Sequence, residues 1–281
     1  MTQHVVAMPI IPGQIRRGRF TRSSLAYSKY SIATWQWWCA KNGVDFITFD
    51  APLGGNDFSD KPPTIQRWLI PDVLMRERGK DTRVALVDAD TMIRWDTPSF
   101  MNMSTSFGAV KGRDSHWISN SISAFQGLFP GTSLKTRDYF NAGVVVLGQP
   151  QLKPIGDFLE FVFHNWTKLS AVISSGNFGT DQTPLNFVLR RDRIPVQFLP
   201  AQYNMVHCFP MDPILFAMDN SPAADPIEFA IRAFQRREAF QFCDRGYIWH
   251  FSNLVAFRAT VMRQVWRRVA ANYPGADCAF A

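Results

Sequence analysis

Four apolar residues, Val84-Ala85-Leu86-Val87, run straight into Asp88-Ala89-Asp90-Thr91. An unbroken apolar run marks a strand buried on both faces, and such strands belong to parallel sheets covered by helices. This run ends in two acids spaced i, i+2, a spacing that extended backbone points to one side. Open α/β sheets bind their ligands at the carboxyl ends of their strands. Two carboxylates held that close repel, and each pKa rises unless a cation sits between them. A hard divalent ion with phosphate oxygens completing its shell is the usual solution. A strand-end Asp capping a turn, beside a second Asp in solvent, explains the same residues, and on local sequence the two readings stand level.

The surrounding pattern alternates strand and helix. Residues 4–8 read as a first strand, followed by the loop Pro12-Gly13-Gln14-Ile15-Arg16-Arg17-Gly18. A helix is predicted over about 24–41, with Trp35, Trp38 and Cys39 on one side and Gly43 as its stop. Residues 44–49 read as a second strand, and 64–78 as a helix ended by Gly79. This β-α-β-α-β order predicts a parallel sheet with right-handed crossovers. Downstream, 107–111 and 140–147 read as strands and 154–169 as a helix. Thr183 reads as an N-cap with Pro184 at N1 of a helix to Arg191. Strands over 194–199 and 247–251 and a helix over 254–272 complete the chain. The fold class is α/β, a mostly parallel central sheet flanked by helices.

The length of 281 residues suits one large domain or two small ones. Net charge is +7, and 22 of the 30 basic residues are Arg, whose planar fork grips phosphate. Nucleic acid, an anionic membrane and a phosphorylated small molecule all fit that charge. No nucleic-acid module signature appears, so no nucleic-acid partner is expected. The 24 Phe, 9 Trp and 6 Tyr mostly supply a core, and the excess also suits stacking on a sugar or a base. Cys39, Cys208, Cys243 and Cys278 form no CxxC pair, which argues against structural zinc and fits reduced thiols in a cytoplasmic protein. No run of 18 apolar residues predicts a membrane span. The N-terminal His4-Val5-Val6-Ala7-Met8-Pro9-Ile10-Ile11 lacks a preceding basic region and reads as a strand, not a signal peptide.

Four further segments carry groups suited to one site. Phe140-Asn141-Ala142-Gly143 offers an amide among small residues that let a ligand approach the backbone. Thr180-Asp181-Gln182-Thr183 sets an acid and an amide before a helix N-terminus, where plain capping explains them equally well. Trp249-His250-Phe251 places an imidazole between aromatics, and a lone His there is more often structural than a ligand. Arg67 lies on the helix feeding the acid-bearing strand, and a solvated helix face accounts for it as well.

Taken in order, these segments resemble glycosyltransferases of the GT-A fold. The resemblance is nearest to the retaining galactosyltransferase and glycogenin-like family and to related bacterial and viral polysaccharide transferases. It rests on Arg67-Trp68-Leu69-Ile70-Pro71, Val87-Asp88-Ala89-Asp90-Thr91, Phe140-Asn141-Ala142-Gly143-Val144, Gly179-Thr180-Asp181-Gln182 with Leu185-Asn186, and His250-Phe251. It implies a GT-A domain over 1–253, nucleotide-binding to about 110 and acceptor-binding beyond, with a basic helix over 254–281. Asp88 and Asp90 match the DxD that binds Mn²⁺ or Mg²⁺ and the ribose, and His250 matches a late His of the metal shell. An imidazole ligand favours Mn²⁺. Asn141, Ala142 and Gly143 match the lining of the donor sugar, and Arg67 a base near the sugar and diphosphate. Asp181 and Gln182 match the catalytic acid-amide pair beneath the anomeric carbon, and the loop from Pro9 and Ile10 to Gly13 would hold the nucleobase. Asp114 joins the substrate-binding set and, with Asp181, is the candidate general base if the reaction inverts. The implied partners are a nucleotide-sugar donor, uridine-based with guanosine as the alternative, and a glycan acceptor.

One motif departs from the family pattern. The late motif usually continues His-Phe-x-Gly with a Lys beyond, and here His250-Phe251-Ser252-Asn253-Leu254 has neither. Arg245 or Arg16 could stand in for that Lys at the diphosphate. The last helix mixes Arg258, Arg263, Arg267 and Arg268 with Phe257, Val261, Val265 and Trp266. Such a helix either packs on the domain or lies peripherally on an anionic membrane.

Overall fold

The apolar runs become the middle of a six-stranded sheet. The computed structural model describes residues 2–12, 25–112, 116–176, 178–206, 241–252 and 258–276. In chain order the main elements are β1 (His4–Pro9), α1 (Ser28–Asn42), β2 (Asp45–Phe49), α2 (Ile70–Arg78) and β3 (Arg83–Val87). Then come β4 (Thr91–Ile93), β5 (Phe107–Lys111), α3 (His116–Phe125), β6 (Phe140–Leu147) and α4 (Leu152–Ser175). The chain continues through α5 (Gln182–Arg191), β7 (Val196–Leu199), β8 (Ile248–His250) and α6 (Arg258–Val269).

The large sheet has the order β2-β1-β3-β6-β5-β7. β1 and β3 are parallel, with Val5 opposite Val84 and Ala7 opposite Leu86. β5 and β7 are also parallel. β6 runs against both neighbours, pairing Val87 with Val144 on one side and Gly108 with Val146 on the other. Hence β1, β3, β5 and β7 all point one way and β6 runs opposite to them. The β5–β6 register shifts between Ala109, opposite Val145, and Val110, opposite Asn141. Residues 142–144 therefore bulge out of that ladder, a device that re-aims backbone near sites.

The chain divides into two compact units, one of Met1–Thr21, Ile47–Val87 and Phe100–Pro200, the other of Arg22–Phe46, Asp88–Ser99 and Ala201–Ala281. Each has its own core. In the first, Trp68 is fully buried, stacked 6.4 Å from Phe107 and edge-on at 6.2 Å to Phe158. Phe129 stacks on Phe161 and on Phe187 at 4.5 and 4.6 Å. In the second, α1 turns Trp35, Trp38 and Cys39 inward, as their spacing predicts. A buried indole needs an acceptor. Trp35 donates to Thr91 Oγ1 at 3.0 Å and Trp38 to the Thr97 carbonyl at 2.8 Å, which ties α1 to β4 and the loop behind it. Gly43 closes α1 in the left-handed region at φ 64°, where a Cβ would be strained. Val261, Met262, Val265 and Val269 of α6 are buried in this second core with Tyr30, Trp249 and Tyr273. The apolar face of the last helix is thus packed within its own unit.

Several boundaries differ from the sequence reading. The helix expected over 64–78 is a turn of α-helix at Pro63–Gln66, a 3-10 turn at Arg67–Leu69, and then α2. Pro71 explains the interruption, since it lacks the N–H that a continuous helix would use. α5 begins at Gln182 with Asp181 in the cap position, so Thr183 is inside the helix and Pro184 is not its first residue. α1 starts at Ser28, α4 runs on to Ser175, β7 starts at Val196, and β8 covers 248–250. No helix among the described residues is long and apolar enough to cross a membrane.

Candidate functional site

In the second unit the two acids converge, but not by strand alternation. The chain leaves β3 at Val87 and turns: Asp88 offers its carbonyl to the Thr91 N–H at 3.1 Å and to the Thr91 hydroxyl at 2.7 Å. Ser31 of α1 holds the Ala89 carbonyl at 2.6 Å. This turn, rather than an extended i, i+2 pair, brings the carboxylates together. β4 then pairs antiparallel with β8, placing Thr91 opposite His250, and the Phe251 N–H donates to the Asp90 carbonyl at 2.9 Å. The imidazole therefore arrives beside the acids by sheet register.

Ligand atoms of Asp88, Asp90 and His250 all lie within 4.8 Å of one another. His250 Nε2 is 3.5 Å from Asp88 Oδ2 and 3.3 Å from Asp90 Oδ1. Its other nitrogen, Nδ1, is 2.9 Å from Asn204 Oδ1. An amide oxygen only accepts, so Nδ1 donates to it and Nε2 is the nitrogen that faces the acids. Asn204 itself is fixed where Met205 bridges Trp249 beside β8. His250 and Asp90 are buried, while the Asp88 side chain is 28% exposed and forms the open side. Two carboxylates and one imidazole are a donor set that could hold a divalent metal ion.

A guanidinium also belongs to this cluster. Arg258 Nη2 sits 3.1 Å from Asp90 Oδ2. Burial opposes the Asp90 charge, yet Arg258 and then His250 outweigh it and hold that carboxyl well below the usual carboxylate range. Burial and the Asp90 charge push the nearby Tyr27 hydroxyl up to about 12. Among the described residues Arg258 is a basic residue at the acids; Arg16 lies outside the described residues.

In the first unit a second knot gathers the remaining candidates. Arg67, for which a solvated helix face was the plain alternative, is buried: its Nη2 donates to the Ala142 carbonyl and its Nε lies 3.6 Å from Asp181 Oδ2. That same oxygen accepts the Trp68 indole N–H at 2.9 Å. Gln182 is engaged at both ends, its Oε1 accepting the Ala142 N–H at 2.8 Å and its Nε2 donating to the Tyr139 hydroxyl at 3.1 Å. Ala142 thus finds in Arg67 and Gln182 the partners that the β6 bulge denies it in β5. Asn141 is half-buried and its Oδ1 accepts the Gly143 N–H at 2.8 Å. Asn186 brackets Phe140 through both its N–H and its carbonyl. Thr183, instead of capping, shares its hydroxyl with Tyr139 and Ser121 at 2.7 Å each. Pro9 and Ile10 are half-buried at the end of β1, and the Ile10 N–H donates to the Phe49 carbonyl. Gly13 and Asp114 lie outside the described residues.

The residues not anticipated are Asn204, Arg258 and Tyr27 around the acids, and Trp68 and Tyr139 in the knot. Asn204 and Tyr27 carry no sequence signal. Arg258 carries a weak one, as a basic residue shortly beyond His250-Phe251.

No protein-family model and no curated protein matches the chain. Among solved structures it is similar to a glycosyltransferase involved in the glycosylation of the major capsid of PBCV-1. That likeness is 11% identical, covers 93% of this chain and 99% of that one, and has a TM-score of 0.51. Mouse xyloside xylosyltransferase 1 matches over 88% of this chain and 97% of its own, at 10% identity and a TM-score of 0.44. The glycosyltransferase GlyE of Streptococcus pneumoniae matches over 98% and 65%, at 14% identity and a TM-score of 0.43. The first likeness establishes the architecture: a GT-A-like α/β fold shared with a glycosyltransferase.

Proposed function

We propose that the protein is a metal-dependent glycosyltransferase, moving a sugar from a nucleoside-diphosphate sugar, a uridine one for preference, to a saccharide acceptor. The Asp88-Asp90-His250 cluster, on a fold shared with a glycosyltransferase, is the observation that carries this reading. Asp88, Asp90 and His250 would hold the cation, Mn²⁺ before Mg²⁺. A bound divalent ion neutralises charge on the departing diphosphate, a Lewis-acid role. Asn204 holds Nδ1 and so keeps Nε2 aimed at the acids, and Arg258 pairs with Asp90.

Asn141, Ala142, Gly143 and Arg67 are assigned to the donor sugar, and Pro9 and Ile10 to the nucleobase. Asp181 and Gln182 would stabilise an oxocarbenium-like sugar in a retaining reaction. A second reading, inversion with a carboxylate such as Asp114 as base, is favoured by one observation: Asp181 and both ends of Gln182 are committed to protein partners.

The test is a thermal shift of the full chain with uridine diphosphate, Mn²⁺, and both. Stabilisation only with both, lost in Asp88→Asn and His250→Ala, supports the reading. At ligand a hundredfold above its dissociation constant the gain is about 2.7 kcal/mol. Equal shifts with and without metal refute the metal dependence.

A further inference from the structure

Arg258 is built into the second unit more firmly than a ligand-seeking side chain would be. Its Nε donates to the Phe251 carbonyl at 3.0 Å and its Nη2 to the Ser252 carbonyl at 2.7 Å. Its Nη1 donates to the Tyr27 hydroxyl at 3.2 Å, and the guanidinium stacks 5.0 Å from the Tyr27 ring centre. The side chain is 13% exposed. A planar fork held by three acceptors and an aromatic face stays put.

This fixed cation divides Asp90. Oδ2 faces Arg258 at 3.1 Å, and Oδ1 faces His250 Nε2 at 3.3 Å. The carboxylate therefore presents one oxygen to the imidazole side. It also presents less charge: two carboxylates less one guanidinium leave a single net negative charge facing a dication. A cation alone meets a half-neutralised site. A cation arriving with a diphosphate brings anionic oxygens that screen it from the guanidinium and benefit from the same positive field.

We infer that Arg258 is a resident counter-cation and positioning residue that makes metal uptake at Asp88, Asp90 and His250 conditional on an anionic diphosphate ligand, so that metal and nucleotide are bound as one unit. The inference rests on the proposed function and adds the order in which that site fills. Coupling of this kind is reciprocal, so the metal tightens the nucleotide by the same factor as the nucleotide tightens the metal.

The experiment is titration calorimetry of the full chain with Mn²⁺ alone, uridine diphosphate alone, and each in the presence of the other. Wild type, Arg258→Met and Arg258→Lys are compared. Wild type should bind Mn²⁺ at least about tenfold more tightly with the nucleotide present, and Arg258→Met should bind Mn²⁺ alone about tenfold more tightly than wild type, since a unit charge a few ångströms from a dication is worth that much even in a well-screened site. In the Met variant the coupling falls towards one. Arg258→Lys, which keeps the charge, stays near wild type. An arginine with a merely structural role would weaken both ligands when removed, and that result overturns the inference. So does a wild-type protein that binds Mn²⁺ equally well with and without nucleotide, a comparison needing no variant. If Mn²⁺ binds under no condition, the metal-dependent function falls and this inference with it. If metal and nucleotide bind together but Arg258→Met leaves Mn²⁺ affinity unchanged, the inference alone falls.

Discussion

Replacing Asp181 by Asn removes one charge from a buried ion pair of the first unit. The side chains of Arg67 and Asp181 are 5% and 9% exposed, and the guanidinium also lies 4.8 Å from the centre of the Trp68 ring. Taking one partner from a buried pair costs about 3–5 kcal/mol, because the other charge stays desolvated. Asn still offers an oxygen to the Trp68 indole, so Asp181→Asn should fall at the low end, near 3 kcal/mol. Asp181→Ala loses that acceptor too, at about 1–3 kcal/mol more. A protein of this size loses about 2–4 °C of melting temperature per kcal/mol, which puts Asp181→Asn roughly 6–12 °C below wild type. Circular dichroism melts measure this directly. Adding Arg67→Met to Asp181→Asn should restore about 0.5–3 kcal/mol, the coupling of a contacting pair. If Asp181→Asn melts within about 2 °C of wild type, the buried-pair reasoning is wrong and Asp181 is released for a chemical role.

The acids carry a pH signature. Asp90 is held below the value of an unfolded Asp, about 3.9. Its contribution is present above that pH and is lost as pH falls through the folded value. Metal-free wild type should therefore lose stability below about pH 4 more steeply than Asp90→Asn in denaturant titrations, and parallel curves would refute this. Burial pushes the Tyr139 hydroxyl up to about 12, so its contribution is full below about pH 10 and fades as pH rises through the folded value. Tyr139→Phe should cost about 1–3 kcal/mol at pH 7, by stripping a partner from Gln182 and Thr183, and the gap to wild type should narrow in alkali. At Gly108 an added Cβ would meet Ser104 Cβ at 2.8 Å and Val146 Cβ at 3.4 Å. Gly108→Ala should destabilise by about 1–3 kcal/mol in urea unfolding, since neither neighbour can rotate away.

The strands were readable where apolar residues ran unbroken, and 107–111 and 140–147 match the observed bounds. β4 escaped notice because three residues behind a pair of acids give no period to detect. α3 escaped because Ser119, Asn120 and Ser121 dilute the helical spacing of Ile118, Ile122 and Phe125, although Ser121 is buried through its bond to Thr183. In the acid cluster the three ionisable candidates were legible by type and order. Asn204 and Arg258 were not, because their roles arise from pairing between chain segments far apart in sequence. A surface position stayed open for Arg67 because nothing local reveals that Asp181 would pair with it in the interior.

The ribbon of β4 and β8 has a consequence for biosynthesis. Thr97 bonds the Tyr247 carbonyl 150 positions on, and Tyr273 reaches back 180 positions to Ile93. A chain emerging from the ribosome exposes its carboxylates long before the imidazole exists, and contacts of such separation form slowly. Competence to take up a cation at this cluster would therefore arise only once residues 248–250 have been translated and paired with β4.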